Sequence, residues 1–304
     1  MPSSGPTHTP QHTVEGILLM LGALVLLPTM DAVIKHLSQR LPVGEIIWAR
    51  YFFHLAVLLP VVLWRHRAAA LIAAPILPQL CRGILLLGST TLFVTSLSML
   101  PMADAASLFF MAPLIIAAAA PRLLRERVGL VRWLAVLLGF VGALIIVRPG
   151  FASFQWGSLF ALGSAVVNAS YLMLTRRLAG SVPPLVALTY VAATGAVLMS
   201  LIVPVLWVTP SPRDAALLLA VGLLAALGHF LVIKGLERAP ASVLAPCTYF
   251  GLVTATILGY LVFGQLPDLW TWIGAALVVT TGLAVTLGEH WQAQHSLQRQ
   301  AGAA

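Results

Sequence analysis

The chain has 304 residues, of which 60% are hydrophobic and only 9% charged, against about 25% charged in ordinary soluble domains. That balance excludes a water-soluble globular protein and points to a bilayer as the solvent. The excess of 17 Lys and Arg over 9 Asp and Glu would suggest nucleic acid in a soluble chain; between apolar runs it reads as membrane topology, and no nucleic-acid partner is expected.

Residues 1–13 are polar and lack Lys and Arg, and the first apolar run continues as a full span, so no cleavable signal peptide is expected. Charge-free runs follow at 83–103, 105–121, 149–175, 215–233 and 269–288. Each approaches or exceeds the roughly 17 to 25 residues a spanning helix needs. The polar–apolar alternation of a barrel strand is absent. Charges, Pro and Gly then bound ten predicted helices, at 15–36, 43–64, 76–99, 102–121, 130–148, 155–178, 183–207, 214–236, 239–264 and 269–288. The expected fold class is an all-α membrane protein.

The first helix carries Pro28 and Asp31. A carboxylate inside a bilayer needs water, a partner or a proton, so Asp31 either pairs with Lys35 one turn later or meets a substrate ammonium or a proton. In the second helix, Glu45 and Arg50 extend the charge-free run 51–64. Arg50 either snorkels to the interface or anchors a carboxylate, from a substrate or from Asp31. Ser89, Thr90 and Thr91 lie near the middle of the third helix, while Arg82 reads as a topological charge near its end. Phe109, Phe110 and Pro113 fall in the fourth. Gly139 and Gly142 in the fifth suit close helix contact.

Asn168 and Tyr171, three residues apart, share one face of the sixth helix. His229 in the eighth titrates near neutral pH and is either a proton carrier or a hydrogen-bonded packing residue; Lys234 nearby reads as topological. The ninth contains Pro246, Cys247, Thr248 and Tyr249. Pro28, Pro113 and Pro246 are hinge candidates, because proline removes an amide donor and frees carbonyls. Cys81 and Cys247 are expected to pack inside helices.

With the N-terminus inside, one face of the membrane holds twelve basic residues: Arg65, Arg67, Arg82, Arg122, Arg125, Arg127, Arg132, Arg176, Arg177, Lys234, Arg238 and Arg299. Five remain outside: Lys35, Arg40, Arg50, Arg148 and Arg213. The bias places both termini in the cytoplasm. A shift of 139 positions superposes Pro101 on Pro240, Ala106 on Ala245, Phe110 on Tyr249, Glu126 on Gln265 and Trp133 on Trp272. The chain is therefore a duplication. Five spans per copy is odd, so the second copy enters the bilayer inverted. The expected organisation is a cytoplasmic tail at 1–14, a first repeat at 15–148, a second at 155–288 and a cytoplasmic tail at 289–304.

Within this frame, Met30-Asp31-Ala32-Val33-Ile34-Lys35, Ala49-Arg50-Tyr51-Phe52-Phe53, Leu124-Arg125-Glu126-Arg127 and the turns at Pro101 and Pro240 resemble the drug/metabolite transporter superfamily, in its ten-helix type built from two EamA repeats. The resemblance implies a central cavity lined by helices one, three, four, six, eight and nine, and export of amino acids or similar metabolites from a bacterial cell. Uptake or exchange of a nucleotide-like metabolite such as S-adenosylmethionine is the alternative. Gln265 departs from the acidic residue often found there, which weakens that turn as a charged gate.

The candidate substrate or coupling residues are thus Asp31, Arg50, Ser89, Phe109, Phe110, Asn168, Tyr171, His229 and Tyr249. Dispersed carboxylates, the lack of a phosphate loop and the lack of metal-ligand spacing argue against an embedded enzyme. No cofactor and no metal are expected. The expected partners are a small-molecule substrate, the lipid bilayer and, as a candidate, protons, with the monomer as the working unit.

Overall fold

The computed structural model describes residues 10–66, 75–123, 130–150 and 154–301, with side chains defined there except at 10, 120–123, 130–132, 241–242 and 286–301. Residues 1–9, Arg67 and the segment Leu124-Arg125-Glu126-Arg127 lie outside the described residues, as do the side chains of Arg122, Arg132 and Arg299. The described residues form α1 (Pro10–Leu37), α2 (Val43–His66), α3 (Ile76–Met99), α4 (Met102–Phe109), α5 (Ala112–Leu123), α6 (Leu130–Val147), α7 (Trp156–Arg177), α8 (Pro184–Leu206), α9 (Pro212–Arg238), α10 (Ala241–Cys247), α11 (Phe250–Phe263) and α12 (Leu269–Ala301). Among the described residues, eight stretches are long and apolar enough to cross a membrane, and shorter apolar helices at Trp133–Val147 and Leu269–Val285 bring the number to the ten expected.

Two predicted helices are broken. The fourth span divides into α4 and α5 at Phe110 and Met111, and the ninth into α10 and α11 at Thr248 and Tyr249. Proline favours both. Pro113 cannot donate to the carbonyl of Phe109, nor Pro246 to that of Ser242, and each ring crowds the preceding turn. Tighter bonds close the gaps, Met111 N to Leu108 O at 3.1 Å and Thr248 N to Ala245 O at 3.2 Å. Pro28, by contrast, leaves α1 continuous. The ends also differ from expectation: α1 starts at Pro10, inside the expected tail, and α12 runs on to Ala301.

The duplication is visible in the packing. α1 lies along α9, and its counterpart α7 lies along α3; α2 against α9 is matched by α8 against α3; α1 against α11 is matched by α7 against α4 and α5. The pairs α2 with α8 and α6 with α12, each its own counterpart, also pack together. This is the contact pattern of two five-span repeats related by a pseudo-two-fold axis. Phe110 and Tyr249, equivalent in the repeat, touch each other with ring centroids 5.2 Å apart, as equivalent residues do where they meet on such an axis. The two helix breaks therefore meet near the centre of the molecule.

Small residues close the helix seams. A Cβ on Gly142 of α6 would stand 2.8 Å from the carbonyl of Gly274 on α12, so these backbones touch directly. The outer surface is apolar in the manner of a lipid-facing one: Leu201, Val205, Leu261 and Leu144 are exposed, and exposed Trp64, Trp133, Trp156, Trp207 and Trp270 lie near helix ends, where indoles favour the membrane interface. Cys81 is on the exposed surface and not in a packed interface, whereas Cys247 is half-buried and its Sγ lies 3.6 Å from the Val243 carbonyl.

Candidate functional site

Several of the candidate residues gather about α2. Arg50 donates from Nη1 to Thr90 Oγ1 of α3 at 3.2 Å, and its guanidinium lies 5.6 Å from the centroid of the Tyr51 ring. Tyr51 and Thr90 share a hydrogen bond of 2.9 Å between their hydroxyls. Arg50 therefore does not snorkel to the interface; it is held inside by α3 and an aromatic ring. One turn later His54 stacks on His229 of α9, with centroids 5.5 Å apart and planes 32° from parallel. Gly222 permits that approach, because a Cβ there would stand 3.1 Å from the backbone nitrogen of His54. His229 Nδ1 lies 2.8 Å from the Ala225 carbonyl, a contact that assigns its hydrogen to Nδ1 and leaves Nε2 free as an acceptor.

Asp31 of α1 faces the same region, within electrostatic reach of Arg50. It makes no direct ion pair or hydrogen bond among the described residues. The pairing of Asp31 with Lys35, one of its two readings from sequence, does not occur. Lys35 is buried and its ammonium donates to the carbonyls of Leu97 at 2.9 Å and Leu100 at 2.5 Å, with Phe263 5.5 Å away. Those carbonyls close the C-terminal turn of α3 and lack helical partners of their own, and the helix dipole favours a cation there.

Asn168 and Tyr171 of α7, like Asp31, Arg50 and His229, lie within their spans yet keep accessible surface. An aromatic wall adjoins them. Phe93, one turn along α3 from Thr90, packs on Phe109 at 4.9 Å; Phe109 meets Phe110 at 6.5 Å, and Phe110 meets Tyr249. Ser89 stands apart from this group. It is buried, and its hydroxyl and that of Ser164 bond each other's carbonyls at 3.1 and 2.8 Å, a clamp between α3 and α7.

Sequence reasoning missed His54, although its signal was available: it lies four residues after Arg50, on the same helical face. Arg82 also reads differently in three dimensions. It is not a surface topological charge but a buried side chain that donates to the Ala187 carbonyl of α8, beside the fully buried Gln79. Lys234 does remain near its helix end, paired with Glu237 at 2.6 Å.

The EamA-like transporter family matches this chain twice, over residues 14–148 and 155–287. The chain belongs to that family. Among its relatives are the S-adenosylmethionine uptake transporter of Rickettsia prowazekii (strain Madrid E), 28% identical over 91% of this chain and 94% of that protein, and the riboflavin transporter of Vibrio cholerae, 28% identical over 94% and 96%. The pseudopaline exporter CntI of Pseudomonas aeruginosa is 28% identical over 90% and 96%. A solved structure superposes with a TM-score of 0.64 at 22% identity, over 90% of this chain and 97% of that one; at that identity the likeness shows the fold. The protein is thus a multi-pass membrane transporter.

In this EamA protein α2 supplies two of the residues gathered here, Arg50 and His54, although the resemblance did not include the second span among those expected to form the site. The two repeats are also tied at the end that bears Lys35. Arg148, with φ of 50° in the left-handed region, directs its guanidinium to both carboxylate oxygens of Asp268, and Asp268 caps α12 through Thr271 N at 2.8 Å. A cavity of about 240 Å3 lies there, lined by Asp104, Arg148, Gln155, Ser158 and Asp268 among others.

The Arg148 hydrogen bond holds the Asp268 carboxyl below its ordinary 3.8. A depressed carboxylate contributes stability that is fully present above the unfolded value and is lost as pH falls through the folded one. Asp268→Asn is therefore expected to lower thermal stability slightly at neutral pH, the Asp268 carboxylate being about half exposed. The difference from wild type should shrink in acid below 3.8. A difference that persists undiminished in acid would show that Asp268 acts by some other means.

Proposed function

We propose that this EamA-family protein is a secondary carrier of the bacterial inner membrane that moves small metabolites bearing an amino-acid group, with both termini in the cytoplasm. The observation that carries this reading is the pair Asp31 and Arg50: opposite charges about two turns inside their spans, both accessible, with no direct bond between them. A zwitterion suits both, its ammonium toward Asp31 and its carboxylate toward the Arg50 fork. Export of free amino acids is the first reading.

Uptake or exchange of S-adenosylmethionine is the second, favoured by the aromatic wall of Phe93, Phe109, Phe110 and Tyr249, which offers ring faces to a heteroaromatic group, and by the Rickettsia relative's named substrate. Both substrates present the same amino-acid head. Alternating access would rock paired helices about the central site. α9 is tied at one end to Arg40, in the turn after α1, through Asp214 at 3.2 Å, and at the other to α1 by Arg238 with Glu15; α3 and α7 are tied by the serine clamp. The helix breaks beside Pro113 and Pro246 supply flexible points between such units.

Counterflow tests the proposal. Liposomes holding only this protein and loaded with unlabelled substrate are expected to accumulate the labelled form of one or more of a panel of L-amino acids and S-adenosylmethionine. Riboflavin, which lacks an amino-acid head, serves as contrast. Exchange of riboflavin alone would overturn the reading of Asp31 and Arg50, and chemical conversion of the label without exchange would favour an enzyme.

A further inference from the structure

His54 and His229 are not accounted for by substrate binding alone. A histidine placed between helices for packing is ordinarily hydrogen-bonded on its buried nitrogens, because an unpaired buried polar atom is costly. His229 meets that rule at Nδ1 only, and His54 Nε2 is buried with no partner among the described residues. The rings face each other across the α2–α9 contact, 5.5 Å between centroids. Two imidazolium cations at that separation would repel, so the arrangement suits at most one proton.

The groups that face the pair are few. Arg50 of α2 lies within electrostatic reach of both histidines; beyond it, Asp31 of α1 and Tyr51 of α2 lie within reach of Arg50, and Tyr171 of α7 within reach of Tyr51. On α9, Lys234 lies nearer the helix end and is paired with Glu237. Arg50 is therefore the dominant neighbouring charge. An unneutralised guanidinium one turn away opposes a second positive charge on the rings, and a carboxylate seated on that guanidinium cancels the opposition.

We propose that His54 and His229 form a one-proton site that fills when a substrate carboxylate occupies Arg50, so that the carrier moves a proton in the same direction as its substrate. The inference rests on the carrier reading above. The proton comes from water, resides on one imidazole nitrogen and is released to water when the site opens to the other side, with no other bond made or broken. By linkage, the proton must strengthen substrate binding as much as the substrate strengthens proton binding.

The test uses liposomes with a trapped pH dye and whichever panel member undergoes counterflow. Wild type is expected to acidify the lumen as external substrate enters, at about one proton per substrate. Substrate affinity should tighten as pH falls, by up to about tenfold per unit for a single linked proton. His54→Gln and His229→Gln, alone or together, are expected to bring the proton-to-substrate ratio near zero and flatten that pH profile.

Substrate entry by wild type without a lumenal pH change, or with alkalinisation, overturns the proposal while leaving the carrier intact. So do glutamine variants that keep the wild-type ratio. If the variants move nothing, the wild-type profile decides, and an affinity that does not change with pH overturns it. Failure of wild type to exchange any panel member overturns the carrier reading itself, and the proton site with it.

Discussion

Arg50→Ala is expected to reduce counterflow of an amino-acid substrate by about 30-fold or more. Truncating one partner of a buried, hydrogen-bonded charge pair typically costs roughly 2 to 5 kcal/mol, and every 1.4 kcal/mol is a factor of ten. In the resting protein Arg50 bonds Thr90 and lies on Tyr51, so the variant also leaves that hydroxyl pair without its cation. Two comparisons separate substrate recognition from packing. Arg50→Lys restores the charge but not the two-pronged geometry and should recover only part of the flux. An amide analogue lacking the carboxylate should be rejected by wild type, but Arg50→Ala should handle acid and amide alike. If Arg50→Ala transports at the wild-type rate, or still prefers the acid, Arg50 does not read the carboxylate.

The second large effect concerns stability at the α6–α12 seam. Gly274→Ala is expected to destabilise the protein by about 1 to 3 kcal/mol, the usual cost of overpacking, seen as a lower thermal midpoint in detergent-solubilised protein. A Cβ at Gly274 would lie 2.6 Å from the carbonyl of Gly142, and backbone cannot step aside as the end of a side chain can. Gly274→Leu should be worse. Gly88→Ala serves as the control, because its added Cβ would meet only Val167 Cγ1 at an ordinary 3.6 Å, and a helical alanine is otherwise preferred to glycine. Equal midpoints for Gly274→Ala and Gly88→Ala would remove the seam as a source of stability.

Gly139 and Gly142 were legible in sequence as contact residues because small residues among large apolar ones have few other uses in a membrane helix. The spans were legible for a related reason: a bilayer core demands long apolar runs whatever lies beside them. The breaks were less so. Pro28, Pro113 and Pro246 look alike in sequence, yet α1 runs on through its proline while two other spans part near theirs. Each break adjoins the contact between Phe110 and Tyr249, which are equivalent in the repeat. His54 went unread for the opposite reason, as its sequence neighbours are aromatic and its partner His229 is 175 positions away.

By itself the sequence determined the solvent, the number of spans, the duplication and the residues on which charge enters the membrane. These follow from composition and local period, which act on a chain before any two helices meet. Partnership was decided only by the tertiary structure. Lys35 lies one turn from Asp31 and could have neutralised it, but the crossing of α1 over the end of α3 offers the ammonium two otherwise unpaired carbonyls. Asp31 is thereby left accessible toward Arg50, and Arg82, which reads as a surface charge, is drawn inward by a carbonyl of α8. Which buried charge is satisfied and which stays available depends on the backbone groups that distant helices bring within hydrogen-bonding reach, and no spacing along the chain encodes that.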